Sequence, residues 1–309
     1  MLETLFKFSF FIGIGFAWRF TKPMGISADA LRSSLLNLLY LVFLPALVLS
    51  ILWNTKLGAN TWRILLVMLF TTGISLAAAW YYYKRINLSN NIKGSFILAA
   101  AFGSVLVIGA PVTQAWVSNW TIRTAVYFEA IIMLPVLFTI GLLLVKKLGS
   151  YSKGNIGLDI IKEPILIAVI LGLILNLANV KMPMLVANWL NITKLGVLPI
   201  GLIVIGLSLY WNKQWYKLIP VMLPATIIQL ILMPIILWAF FHIFGVSGVQ
   251  TFKSTFIQAA MPSMVFGFII CEKYRLDTNA YTAVFSFTTV ISLITLPVWW
   301  TLLKNGVIS

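Results

Sequence analysis

Two stretches of this sequence combine helix breakers with neutral polar side chains inside long apolar runs. The first carries Ser104, Gly109, Pro111 and Gln114; the second carries Gln258, Pro262, Ser263 and Gly267. Proline has no N–H, so Pro111 frees the carbonyl of Val107 and Pro262 frees that of Gln258. In apolar surroundings a freed carbonyl needs another partner or a wet cavity. At 3.6 residues per turn Ser104, Pro111 and Gln114 fall near one helix face. Gln258 precedes Pro262 by one turn, with Ser263 beside it. Serine and glutamine hydrogen-bond a carboxylate or another polar ligand without burying a full charge. A helix restarting after a break adds partial positive charge at its N-terminus. The same side chains also bridge helices, and Pro and Gly serve as plain kinks. Both readings stand on the residues alone.

Glu129 is the acidic residue placed clearly inside an apolar run. Such residues are functional candidates by default, here for proton or ion coupling. Its distance of two turns from Arg123 equally allows an interfacial position or a basic partner. Glu163 and Glu272 fall at run ends and read as interfacial. Asn37, Asn176 and Gln229 read as interhelical hydrogen bonders, and His242, ending a run among phenylalanines, as structural. No catalytic constellation appears: there is no HExxH and no P-loop, and Asp29, Asp159 and Asp277 all fall in connections. One cysteine, Cys271, and one histidine exclude an internal disulfide and a Cys/His metal site. No cofactor is expected.

The elements that carry these residues follow from composition. Of 309 residues 61% are hydrophobic and 9% charged, with a net charge of +15; a soluble domain carries about 25% charged residues. Mean hydropathy is +1.00. No soluble fold hides that much apolar surface, which excludes soluble enzymes and nucleic-acid binders. The chain reads as an all-α integral membrane protein with the lipid bilayer as partner. Ten apolar runs are marked, at 2–20, 31–53, 62–83, 94–118, 122–145, 163–180, 188–211, 218–244, 253–272 and 280–303. Each is near the ~20 residues that cross the hydrocarbon core. Runs 4 and 8 are longer, which predicts tilt or breakage. Lys and Arg cluster in the connections: 14 of the 22 fall on the face reached after the odd-numbered runs and 8 on the other. The positive-inside rule makes the first face cytoplasmic and puts both termini outside. The first run reads as a retained helix, because Arg19 and Lys22 stand where a cleavage site would be.

The two halves of the chain resemble each other. Run 2 holds Phe43-Leu44-Pro45-Ala46-Leu47 and run 7 holds Val197-Leu198-Pro199-Ile200-Gly201. Run 4 opens on Lys93-Gly94-Ser95-Phe96-Ile97 and run 9 on Lys253-Ser254-Thr255-Phe256-Ile257. The order is the same and the offset is about half the chain. A repeat of five spans must enter the membrane upside down in its second copy. The expected organisation is a first repeat over 1–145, a cytoplasmic linker over 146–162 and an inverted repeat over 163–309. Inverted repeats mark secondary transporters, whose sites lie at the repeat interface near the midplane.

Gln258-Ala259-Ala260-Met261-Pro262-Ser263, Cys271-Glu272-Lys273-Tyr274 and Ser292-Leu293-Ile294-Thr295-Leu296-Pro297 resemble the C-terminal signature of the auxin efflux carrier family. Phe43 to Leu47, Leu198 to Gly201 and Gly206-Leu207-Ser208-Leu209 are similar to its second and seventh helices. The resemblance implies ten helices in two inverted five-helix repeats, with broken helices 4 and 9 crossing beside a substrate pocket. It implies a homodimeric scaffold of helices 1, 2, 6 and 7, an elevator formed by helices 3–5 and 8–10, and small organic anions as cargo in a cell inner membrane. Two departures bear on the pocket. Gly103-Ser104-Val105-Leu106 stands where bacterial relatives often carry Gly-Asn-Thr-Gly, and Phe266-Gly267 where they often carry asparagine. Fewer amides imply a less polar pocket and a more hydrophobic anion. The alternatives are a sodium-coupled symporter and a passive pore.

Overall fold

The computed structural model describes residues 2–55, 59–148, 162–210 and 213–308. Helices run α1 Leu2–Thr21, α2 Ala28–Trp53, α3 Ala59–Arg85, α4 Asn90–Ala101, α5 Val105–Trp116 and α6 Asn119–Gly141, the last continued by a turn over Leu142–Leu148. They continue as α7 Pro164–Leu177, α8 Met184–Ser208, α9 Ile219–Ile243, α10 Val249–Ala259, α11 Gly267–Lys273 and α12 Thr278–Lys304. No β-strand is present among the described residues. Most of the 146–162 linker lies outside the described residues.

Six of these helices, α2, α3, α6, α8, α9 and α12, are long and apolar enough to cross a membrane; α5, α7 and Phe8–Thr21 of α1 are shorter apolar helices. Runs 4 and 9 are each broken in two, into α4 and α5 and into α10 and α11. At 1.5 Å per residue, a twelve-residue half spans only about 18 Å against a core of about 30 Å. Run 8, expected to tilt or break, stays continuous.

The prolines explain where helices bend. Wide π turns cover Leu39–Phe43, Val105–Gly109, Tyr127–Met133 and Ile228–Leu232. Each of these four ends two residues before a proline, Pro45, Pro111, Pro135 and Pro234; a fifth, over Leu137–Gly141, has no proline after it. The proline ring clashes with the carbonyl four residues back, and one extra residue in the preceding turn relieves that clash. Pro111 therefore belongs with the kink prolines.

The chain forms two compact units, each assembled from both halves of the sequence. One comprises Met1–Leu57 and Gly154–Leu209, and so holds α1, α2, α7 and α8. In it α1 lies directly on α8: a Cβ on Gly15 would collide with the backbone of Ile203, and one on Gly206 with that of Ile12. Only glycines permit that approach. α7 packs on α2, where Asn176 donates from Nδ2 to the carbonyls of Leu52, Trp53 and Thr55 at 2.6–3.0 Å. It thereby closes the C-terminal turn of α2, the bridging role expected of it. Asp29 holds Arg19 and Arg32 at 3.2 Å each. Glu163, at the start of α7, is only 4% exposed and accepts a hydrogen bond from the Tyr40 hydroxyl. The other unit, Gly58–Lys153 and Tyr210–Ser309, holds the remaining helices and both broken ones.

Candidate functional site

The two breaks meet, and each supplies what the other lacks. α4 ends at Ala101 and α5 starts at Val105; between them Gly103 pairs with Ser263 as an isolated antiparallel bridge. Ser104 N–H donates to the Pro262 carbonyl at 2.8 Å and Met264 N–H to that of Phe102 at 2.9 Å. Backbone groups freed from one helix are thus satisfied by the other. Side chains close the remainder. Ser263 Oγ donates to the carbonyl of Ala99 at 2.7 Å, Gln229 Nε2 to that of Met261 at 2.9 Å, and the Tyr281 hydroxyl to that of Met264 at 2.5 Å. Thr288 Oγ1 donates to Ser263 Oγ at 3.0 Å. Gly103 has no room for a side chain: an added Cβ would lie 2.6 Å from Gln229 Nε2.

A second polar group lies along α10, α5 and the start of α6. Gln258 is fully buried, with Nε2 3.0 Å from Thr124 Oγ1, 3.2 Å from Thr113 Oγ1 and from the Thr121 carbonyl, and 3.3 Å from Ser254 Oγ. Thr124 and Ser254 hydroxyls share a bond of 2.7 Å, and Thr121 Oγ1 donates to Thr113 Oγ1 at 3.2 Å. Oε1 of Gln258 and Oε1 of Gln229 are buried without partners among the described residues. These acceptors face no N–H or O–H, so each offers a free lone pair to a donor that enters.

Glu129 forms no ion pair among the described residues. It is 1% exposed, and its Oε2 accepts the N–H of Leu106 at 2.6 Å. Leu106 lies in the first turn of α5, whose N–H groups have no partner within the helix. The half-helix end read as a seat for an anion is therefore occupied by the chain's own carboxyl group.

The expected site residues divide as follows. Ser104, Gly109, Gln258, Pro262, Ser263 and Gly267 are buried at or beside the crossing. Pro111 lies seven residues beyond Ser104, within α5. Gln114 is half-buried and donates to the Asn119 carbonyl at 3.3 Å, outside the Gln258 group. Thr113, Thr121, Thr124, Ser254 and Thr288 take part although sequence reasoning passed over them. Ser254, one turn before Gln258, and the Thr121/Thr124 pair at i, i+3 carried the only sequence signal. Gln229, read as a bridging residue, does bridge, but to the break itself.

Residues 152–300 match the membrane transport protein family. Over 285 residues, 90% of this chain and 91% of the relative, the sequence is 24% identical to an uncharacterized transporter of Methanothermobacter thermautotrophicus. Family and relative point to a transport role in a membrane, not an enzymatic one. With the broken, mutually bonded helices and the membrane-length apolar helices, these matches support the resemblance to the auxin efflux carrier-like membrane transport family.

Proposed function

We propose that this protein is a secondary transporter of small organic anions, working by alternating access around the crossing of α4/α5 with α10/α11. The observation that carries this reading is the buried crossing of two broken helices, lined by uncharged serine, threonine and glutamine groups, whose two unpartnered glutamine oxygens can accept from a hydroxyl or a protonated carboxyl of the cargo. Groups that donate and accept without net charge can hold a carboxylate or its flanking hydroxyl while costing less desolvation than a fixed charge. The scarcity of charge there favours an anion with an apolar body. An elevator-type movement is supported by the grouping of the helices: both breaks and every residue of the site belong to one compact unit, and α1, α2, α7 and α8 form another. We further propose ten spans in two inverted repeats, 1–145 and 163–309, a homodimer, and a cell inner membrane with both termini outside. Glu129 is the candidate proton carrier.

The test is thermal stability of the detergent-purified protein against a carboxylate panel, with and without sodium and at two pH values, followed by uptake and counterflow in liposomes. A ligand of the folded state raises apparent stability by mass action. An aromatic or branched carboxylate should shift the midpoint more than malonate does, and Gln258→Ala should abolish the shift. Equal responses to malonate and an aromatic acid would count against a less polar site, and flux without saturation or counterflow would indicate a pore. A sodium-coupled symporter is favoured by one feature, the four oxygens around the Gln258 amide. Turned about its last torsion, that amide adds a fifth oxygen of the hard, neutral type that alkali cations accept. Sodium-dependent stabilisation would select that reading.

A further inference from the structure

A separate cavity of about 300 Å³ opens where the last turns of α9 and α12 meet the first turn of α10. Its floor is apolar and rigid: Phe241, Phe252 and Leu303 are all buried, and the two phenylalanine rings pack 4.9 Å apart. Its rim is basic, with His242 and Lys304 exposed and Lys253 half-buried. No Asp or Glu lines it. Neither Lys253 nor Lys304 forms an ion pair among the described residues.

Several of the carbonyls at the two helix ends are already used. Phe244, Gly245 and Val246 N–H groups close the end of α9 on the carbonyls of Phe240, His242 and Phe241, and Asn305 and Val307 close the end of α12. The connecting loop is pinned from α3, by Arg63 to the Gly245 carbonyl at 3.3 Å and Asn60 to that of Ser247 at 3.1 Å. Arg63 adds another positive group beside the mouth.

We propose that this cavity binds one anionic phospholipid, with phosphate oxygens on Lys253 and Lys304 and the start of an acyl chain against Phe241, Phe252 and Leu303. Three features select that occupant. The cavity lies where membrane-length helices end, which is the depth of headgroups. Its rim offers cationic donors only, which pair with the anionic oxygens of a phosphodiester headgroup. Its floor offers nothing to a polar solute but suits a hydrocarbon chain. The site shares no residue with the α4/α5 crossing, so it stands or falls apart from the transport reading.

The experiment is thermal unfolding of the full chain in detergent with added phosphatidylglycerol, phosphatidylcholine or inorganic phosphate. Phosphatidylglycerol should raise the midpoint by several degrees, phosphatidylcholine and inorganic phosphate by little. The double variant K253Q/K304Q should keep the lipid-free midpoint and lose most of that shift. The matched variant K181Q/K194Q, in the other unit, should retain it. Native mass spectrometry gives a readout independent of stability: one phosphatidylglycerol retained by the parent protein and none by K253Q/K304Q. Equal shifts with the two lipids, or a shift surviving in K253Q/K304Q, would overturn the proposal. A full shift with inorganic phosphate alone would do so as well, showing a free-anion site.

Discussion

Gln258 holds its amide nitrogen among four oxygens, yet a primary amide has only two N–H groups to give. The hydroxyls must therefore bond one another, as Thr124 with Ser254 and Thr121 with Thr113 do. A network closed in this way depends on every member. Gln258→Leu removes the two hydrogen bonds the amide can donate to this network and should lower stability by about 1–3 kcal/mol, read from chemical or thermal unfolding, and should remove any carboxylate-induced shift. Glu129 gives a second test at this scale. Glu129→Ala orphans the Leu106 N–H in a buried place, a loss of about 1–3 kcal/mol. Glu129→Gln keeps an acceptor and should fold nearly as well as the parent. If Glu129 carries the coupled proton, the Gln variant should still bind cargo but take it up at a rate indifferent to a pH gradient; unchanged gradient dependence would remove it from that role. Little of this was legible in the residues. A threonine in an apolar helix commonly bonds the carbonyl one turn back, as Thr71, Thr72 and Thr113 all do, so its type does not reveal which threonine also meets a neighbour. Gln258 and Ser263 were visible because they flank a proline.

At the scale of elements, the apolar runs located the helices well, since a span must bond its own backbone in lipid. The breaks were harder. Pro262 lies inside its break, whereas the chain breaks at Phe102–Ser104, well before Pro111. Pro111 lies within α5, where the wide turn over Val105–Gly109 absorbs its ring. What opens the helix at Gly103 is the approach of another backbone, a tertiary cause that sequence spacing cannot carry. Gly103→Ala should accordingly push Gln229 aside and spread the bridge, with a loss of about 1–3 kcal/mol and weaker cargo binding. Gly206→Ala meets backbone rather than a side chain end. It should cost more stability than Gly103→Ala, while the cargo-induced shift of whatever protein folds stays the same. Comparing the two variants by unfolding midpoint and ligand shift separates a packing seam from a binding site.

For the molecule as a whole, basic residues in the connections predict orientation, and composition predicts the membrane. Orientation is checked on the C-terminal side of α12. In a Cys271→Ser background, Asn305→Cys should react with a membrane-impermeant maleimide in intact cells, and Lys84→Cys only after lysis. The reverse pattern would invert the topology drawn from the lysine and arginine count. The grouping of helices into two units was not readable from composition or periodicity, because each unit draws on both halves of the chain. That interleaving has a consequence for how the protein is made. When synthesis has passed α6, α1 and α2 have no α7 or α8 to lie on, and α4 and α5 have no α10 or α11 to bond with. Insertion must therefore run well ahead of folding. Gly15 waits for the backbone of Ile203, and the open backbone at Gly103 waits for Pro262 and Met264. A chain halted near its middle leaves in the bilayer no finished unit but two exposed halves, the kind of intermediate that membrane quality control removes.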